Sequence, residues 1–397
     1  MRFVIAALLV VTITGCSAPA AVGPTTTAPP QPSATPPSPT PVSTVTPTAA
    51  STPFPTPTPI TDLSQVFHPL ATGWRPPGPT LMFVTNEDVL QTLIAMPLSR
   101  DGRTDEPTRL VSFIAPSGWD LRPDGGALAV AVGTAVGERI AVWDIAAATG
   151  RWVTAAGPGA LAYSPFWSKD GNSIVFFETP GGTNTGAVRR IGADGQGLTT
   201  IAMPDRVGGL VGITPDGRGL IWSRGQEGGS AEILDIATGT NKHLADNARI
   251  VSWRAQQPRI LLMVGGCCAG RPGGSLIAFD DDAMTSRPIA ELGPNGNPGF
   301  GAGAWDPSGT RVAAWIFGDP AASDASLAII DAGTGTVQPI SDVLGIGTVL
   351  WADEGIVVTR SLRRNATTDV IFVPPKGGPS VTLYGGAGIG RLIVIRP

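Results

Sequence analysis

His68 and His243 are the chain's two histidines, and any Ser-His-Asp triad must use one of them. No G-x-S-x-G nucleophile elbow accompanies either. A histidine-based metal site is equally short of ligands, since zinc centres gather three or four His, Cys or carboxylate groups. Asp280, Asp281 and Asp282, in "FDDDAM", supply the ligand type calcium prefers, but without the alternating acids and Gly of a calcium loop. They read as solvated turn acids. Paired carboxylates remain an open chemistry, because glycoside cleavage needs only two acids at a suitable separation. Cys267 and Cys268 are neighbours. A disulfide between them would be strained, and strain marks functional positions; the alternatives are free thiols or pairing with another chain. From these residues we expect no catalytic set, no metal and no cofactor.

One further stretch looks chemical. "SPFWSKDGNSIVFF", from Ser164 to Phe177, sets a Trp, a polar triplet and a Gly before an apolar run. It is one of a series. Aligned on Trp167, the chain offers "LRPDGGALAVAV" from Leu121, "ITPDGRGLIWS" from Ile213 and "WRAQQPRILLMV" from Trp253. It then offers "WDPSGTRVAAWI" from Trp305 and "WADEGIVVTR" from Trp351. Successive anchors lie 46, 46, 40, 52 and 46 residues apart. Such a period signals a solenoid or a propeller. Turn chemistry accounts for the polar residues: Pro presets φ, Asp tolerates a tight backbone and Gly supplies positive φ. Asp170 and its equivalents are therefore expected in turns, with Trp167 packed between repeats.

The elements that must carry these turns are strands. No stretch beyond about residue 80 keeps a helical period over several turns. The apolar runs after each turn are continuous, as in strands covered on both faces. A second hairpin follows in "IAVWDIAAATG", "AEILDIATG" and "LAIIDAGTG". Each unit thus reads as four strands, the make-up of a propeller blade. "TLMFVT", "TLIAMPL" and "TRLVSF" lack an anchor before them, while "RLIVI" at 391–395 has no unit of its own. Placing "RLIVI" innermost in the first blade closes the ring and removes open edges. The span 80–397 holds 318 residues, close to seven periods. We expect an all-β propeller of seven four-stranded blades closed by the C-terminal strand, with six blades as the alternative.

The N-terminus, "MRFVIAALLVVTITGC", has one basic residue and a short apolar stretch, the layout of a secretory signal and too short to span a bilayer as a helix. Ile13 to Cys16 resembles a bacterial lipobox. That resemblance implies cleavage after residue 15, a diacylglycerol on Cys16 and anchoring to the cell membrane or outer envelope. Residues 17–60 contain 14 Pro and 11 Thr and no charged side chain, so residues 16–60 read as a disordered tether. Residues 61–79 form a lead-in to the propeller at 80–397. Without Arg2 the chain has 26 basic against 31 acidic side chains. That mild excess, with no basic stripe, argues against nucleic acid as a partner.

The W-S-K-D-G type turns followed by apolar strands resemble the repeat of TolB-type, WD-repeat-like propellers, over nearly all of 80–397. Trp253 to Pro258 and Trp351 to Gly355 depart from the pattern. The resemblance implies a fold shared by binding modules and enzymes. It also implies that loops between second and third strands share one partner-binding face. Those loops place Asn184, Arg224, Glu227, Arg271, Asp319, Arg363 and Arg364 as candidate contacts. We expect a monomeric, membrane-anchored module that binds an envelope protein, peptide or glycan non-covalently. The alternatives are a carboxylate-dependent glycosidase or lyase in the central funnel, and a purely structural scaffold.

Overall fold

The computed structural model describes residues 62–87, 90–99, 106–114, 118–134, 137–155, 159–180, 186–203, 209–214, 216–224, 229–253, 260–265, 274–291, 299–317, 325–345, 347–361, 367–374, 378–389 and 391–396. Strands account for most of them, with one short 3-10 turn at Leu63–Gln65.

Hydrogen bonding groups the strands into six sheets. The first holds, in spatial order, Phe67–Pro69, Thr108–Ile114, Leu90–Pro97, Thr80–Glu87 and Leu392–Ile395. The second is eight-stranded and runs from Gly118–Leu121 to Thr199–Ala202. The third to sixth are four-stranded meanders over residues 209–245, 248–290, 299–345 and 349–387. Five sheets are thus separate blades, which corrects the expectation of seven separate blades, or six. The cause lies in the second sheet. Its two meanders, 118–152 and 160–202, join through a single parallel pair, Gly137 with Ala160. Gly137 has φ 144°, and a Cβ there would stand 2.1 Å from the Ala160 carbonyl oxygen. Only glycine admits that contact. The first sheet also departs from the four-strand expectation, because the lead-in adds Phe67–Pro69 as an outer strand against Val111–Phe113.

Packing explains the continuous apolar runs. Successive residues of a strand point to opposite faces, and here both faces meet protein. Ile174 and Phe176 join Ala129 and Ile140 in one cluster. Val175 and Phe177 join Leu220 and Leu234 in the next. Each large side chain so buried contributes roughly 1.5–3 kcal/mol. A further cluster unites Phe83, Ile94 and Met96 of the first sheet with Val357, Val370 and Phe372 of the last. The last sheet therefore packs on the first, and the ring is closed.

Leu392–Ile395 lies at the inner edge of the first sheet, antiparallel to Thr80–Phe83. Arginines bracket it. Arg391, on its N-terminal side, reaches Asp120. Arg396, on its C-terminal side, reaches Glu354 at 2.9 Å and Asp353 at 3.4 Å in the sixth sheet. A four-residue strand paired on one side is thereby tied to both neighbouring sheets.

The expected turns are present. Asp170 accepts from the Ser168 hydroxyl and the Asn172 amide, and Asp216 does the same for Thr214 and Arg218. These bonds hold the Asp170 carboxyl below its ordinary range. The strands that open four of the repeats carry β-bulges, between Tyr163 and Phe166, Leu210 and Gly212, Ile250 and Ser252, and Phe300 and Gly303. Bulges re-aim the side chains around them.

Candidate functional site

The sequence-predicted site residues fall mainly beyond what the structure describes. Cys16, Asn184, Glu227, Cys267, Cys268, Arg271, Asp319, Arg363 and Arg364 lie outside the described residues. Arg224 ends the strand Gly219–Arg224, with its backbone alone described. The stems of two of those loops are in place. Arg189 donates to Glu178 at 2.9 Å across the stem of the 178–187 loop. Arg360 donates through Nε and Nη2 to Asp369 at 3.2 and 2.5 Å across the stem of 360–369. Each pair spans the two strands from which its loop leaves, so the loop departs from a cross-braced ladder.

The site best defined by geometry lies elsewhere, on the innermost strands. Among the strands that open the repeats, Ala160–Trp167 contacts both Gly118–Leu121 and Gly209–Ile213, and Gly299–Trp305 contacts both Ala248–Trp253 and Val349–Trp351; in a propeller such strands wall the central channel. Asp120, on Gly118–Leu121, is buried. Its Oδ2 accepts from the Trp167 amide at 2.8 Å, and its Oδ1 accepts from Arg391 Nη1 at 2.8 Å. The Arg391 guanidinium also stands 5.8 Å from the centre of the Phe166 ring, within cation–π range. Arg391 belongs to the first sheet, Asp120 to the leading half of the second and Phe166 to its trailing half. Burial raises the Asp120 carboxyl above its ordinary value, while Arg391 and the Trp167 amide pull it down.

The residue before each repeat anchor shows why this site was missed. Those positions hold Asp120, Phe166, Gly212, Ser252, Ala304 and Leu350. Asp120 is the charged member, and that was the available signal. Ser252 plays a weaker version of its role, its hydroxyl accepting from the Trp305 amide at 3.3 Å. Arg391 gave no such signal, because its partner lies 271 residues away.

A cleft of about 670 Å³ on the turn side of the third and fourth sheets includes Asp216, Asp235, Lys242, Asp281 and Asp282. Its acids are largely occupied with local structure. Asp235 accepts from the Ala237 and Thr238 amides and the Thr238 hydroxyl. Lys242 donates to the backbone carbonyl of Asp281. Among the described residues no cluster of three or more His, Cys, Asp or Glu is placed to hold a metal. None of their helices is long and apolar enough to cross a membrane.

The closed ring of antiparallel blades defines the chain as a β-propeller protein. Solved structures of low identity share that fold. A puromycin hydrolase matches with TM-score 0.57 and 16% identity, over 80% of this chain and 54% of the other. An oligogalacturonate lyase in complex with manganese matches with TM-score 0.51 and 12% identity, over 79% and 85%. TolB from Acinetobacter baumannii matches with TM-score 0.46 and 15% identity, over 81% and 67%. The chain thus spans about half the length of the hydrolase. No protein-family pattern and no curated protein matches the sequence.

Proposed function

We propose that this chain is a lipid-anchored, extracytoplasmic recognition module, whose propeller binds an envelope protein or peptide without covalent chemistry. The observation that carries this reading is the channel wall. Its innermost strands hold one carboxylate, Asp120, already bonded to Arg391 and the Trp167 amide. A glycosidase mechanism needs two carboxylates free to act on one bond, and these strands offer no second acid. The peptidase and lyase among the structural neighbours share the fold, and fold alone does not transfer activity. The loops carrying Asn184, Arg224, Glu227, Arg271, Asp319, Arg363 and Arg364 would add contacts around the channel mouth, and a Cys267–Cys268 disulfide would stiffen one of them. Cys16 would hold the lipid, and residues 16–60 would lift the propeller from the membrane.

Cross-linking in intact envelopes, followed by mass spectrometry of peptides joined to residues 61–397, tests the recognition reading. A recurrent partner joined through the channel-mouth loops is the expected result. Equal labelling of unrelated proteins over the whole surface would overturn it. Labelled fatty acid incorporated into the parent and lost in Cys16→Ser is the expected result for the anchor.

A further inference from the structure

The cleft between the second and third sheets breaks the repeat in two places. It measures about 560 Å³ and is lined by Lys169, Asp170, Ser173 and Arg190 of one sheet and by Asp216 and Gly217 of the next. The turns "RPDG", "TPDG" and "DPSG" hold Pro123, Pro215 and Pro307 where "SKDG" holds Lys169. Proline presets such a turn, so lysine forgoes a local gain there. The second departure lies on the third strand. Opposite each anchor lies a second-strand residue, and one place before its third-strand partner stand Val142, Arg190, Ile233, Ala278, Ile329 and Phe372 in successive repeats. Five of these are apolar and pack in the clusters between sheets, whereas Arg190 is exposed. Two positions that elsewhere serve the fold thus carry cations here, and both line one cleft. A local rule broken without structural return marks a functional position.

The cleft is rich in available donors. Among the described residues the side chains of Lys169, Ser173 and Arg190 make no hydrogen bond or ion pair. Arg190 lies opposite Val175, which packs toward Leu220 and Leu234 of the third sheet, so Arg190 faces that sheet as well. Lys169 lays its stem on the neighbouring turn, where a Cβ at Gly217 would stand 3.1 Å from the Lys169 Cβ. The acids are engaged by their own turns. Asp170 accepts from the Ser168 hydroxyl and from the amide and side chain of Asn172. Asp216 accepts from the Thr214 hydroxyl and the Arg218 amide.

We propose that this cleft is an oxyanion site for the phosphoryl group of a phosphate ester, held by the Lys169 ammonium, the Arg190 guanidinium and the Ser173 hydroxyl. It lies on the turn side and goes beyond the recognition reading. Arginine binds phosphate through its planar fork and lysine as a point charge. A carboxylate would be filled by the Arg190 fork alone. Donors from three side chains suit the three free oxygens of a phosphate monoester. The volume falls among small-ligand pockets, which run from about 300 to 1,000 Å³. Such an ester is either soluble or the headgroup of a lipid. Loss of one charge-assisted bond should weaken binding roughly ten- to hundredfold.

The test uses the full chain and calorimetry, with glycerol phosphate, acetate, and phosphatidylcholine vesicles with and without phosphatidic acid. Glycerol phosphate is expected to bind at one site, to weaken as salt rises and to exceed acetate. Lys169→Pro and Arg190→Ile restore residues that other repeats use. Each should weaken binding at least tenfold while the urea midpoint stays at or above that of the parent. A merely structural role would lower the midpoint instead. Asp170→Asn keeps an acceptor for the Ser168 hydroxyl and the Asn172 amide but removes a negative charge, so it should tighten binding several-fold. Should Arg190→Ile fail to fold by circular dichroism, Lys169→Pro and Asp170→Asn decide. A gain from phosphatidic acid that exceeds the affinity for glycerol phosphate, and that Lys169→Pro removes, identifies a lipid headgroup; the reverse order identifies a soluble ester. Binding of neither phosphate, or binding unchanged in the variants, would overturn the proposal. Acetate bound as tightly as glycerol phosphate would overturn the assignment to a phosphoryl group.

Discussion

At the scale of single residues, the second hairpin of each repeat contains a testable departure from its own rule. Four residues after the turn aspartate the backbone is left-handed: φ is 54° at Ala148, 69° at Gly239, 54° at Met284 and 72° at Gly335. Glycine adopts that conformation without penalty, whereas other L-residues lose about 1–2 kcal/mol there. Ala148→Gly and Met284→Gly should each raise stability by about 0.5–1 kcal/mol, seen as a higher urea midpoint. Gly239→Ala should lower it by more, because its Cβ would also meet the Ile201 carbonyl oxygen at 2.8 Å. The turn aspartates set the acid limb as well. Hydrogen bonds hold Asp170, Asp235 and Asp331 below the ordinary 3.8. A depressed native pKa contributes stability above the unfolded value, lost as pH falls through the native one. Asp120 has the opposite sign: burial raises it, so its protonation favours the native state. Thermal melts should show stability falling below pH ~4, and a triple Asn replacement of the turn aspartates should flatten that fall.

At the scale of elements, the closing strand is the sensitive part. Glu354 is 10% exposed and Arg396 43% exposed, so Arg396→Ala leaves a buried carboxylate without that guanidinium. The loss should be about 1–2 kcal/mol, allowing for the exposed partner. Removal of residues 390–397 should do more, broadening the unfolding transition because the first sheet loses its inner edge. This strand was legible in the sequence for a simple reason: "RLIVI" was an apolar run with no unit to join, and the first unit lacked an anchor. The turns were legible because their chemistry is local, as Asp216 and Gly217 illustrate. The fusion of two meanders was not, since it hangs on one close approach at Gly137. The bulges of the innermost strands were hidden too, because a residue such as Val251 carries no local mark of being the extra one. The outer strand Phe67–Pro69 is short and ends in proline, so neither alternation nor composition announced it. The Asp120–Arg391 pair depends on ring closure, which no local pattern encodes.

At the scale of the whole molecule, the lead-in segment is part of the fold. Val66 and Phe67 are buried, and the Phe67 ring stacks on Trp143 at 4.9 Å. Gly73 donates its amide to the Ala146 carbonyl, so this segment spans the first and second sheets. Phe67→Ala should cost about 3–5 kcal/mol, and a chain beginning at residue 79 should lose at least as much, measured by chemical denaturation. An isolated propeller defined by its repeats alone would therefore understate what the native protein needs.

The first sheet has the lead-in strand at one edge and the closing strand at the other. A pull transmitted along the chain from its N-terminal side enters through Phe67–Pro69, whose ladder with Val111–Phe113 is three residues long. Leu392–Ile395 is off that load path. Under such a load this short ladder should part before the pairing of Leu392–Ile395 with Thr80–Phe83, and the buried Phe67 would leave its place against Trp143 with it.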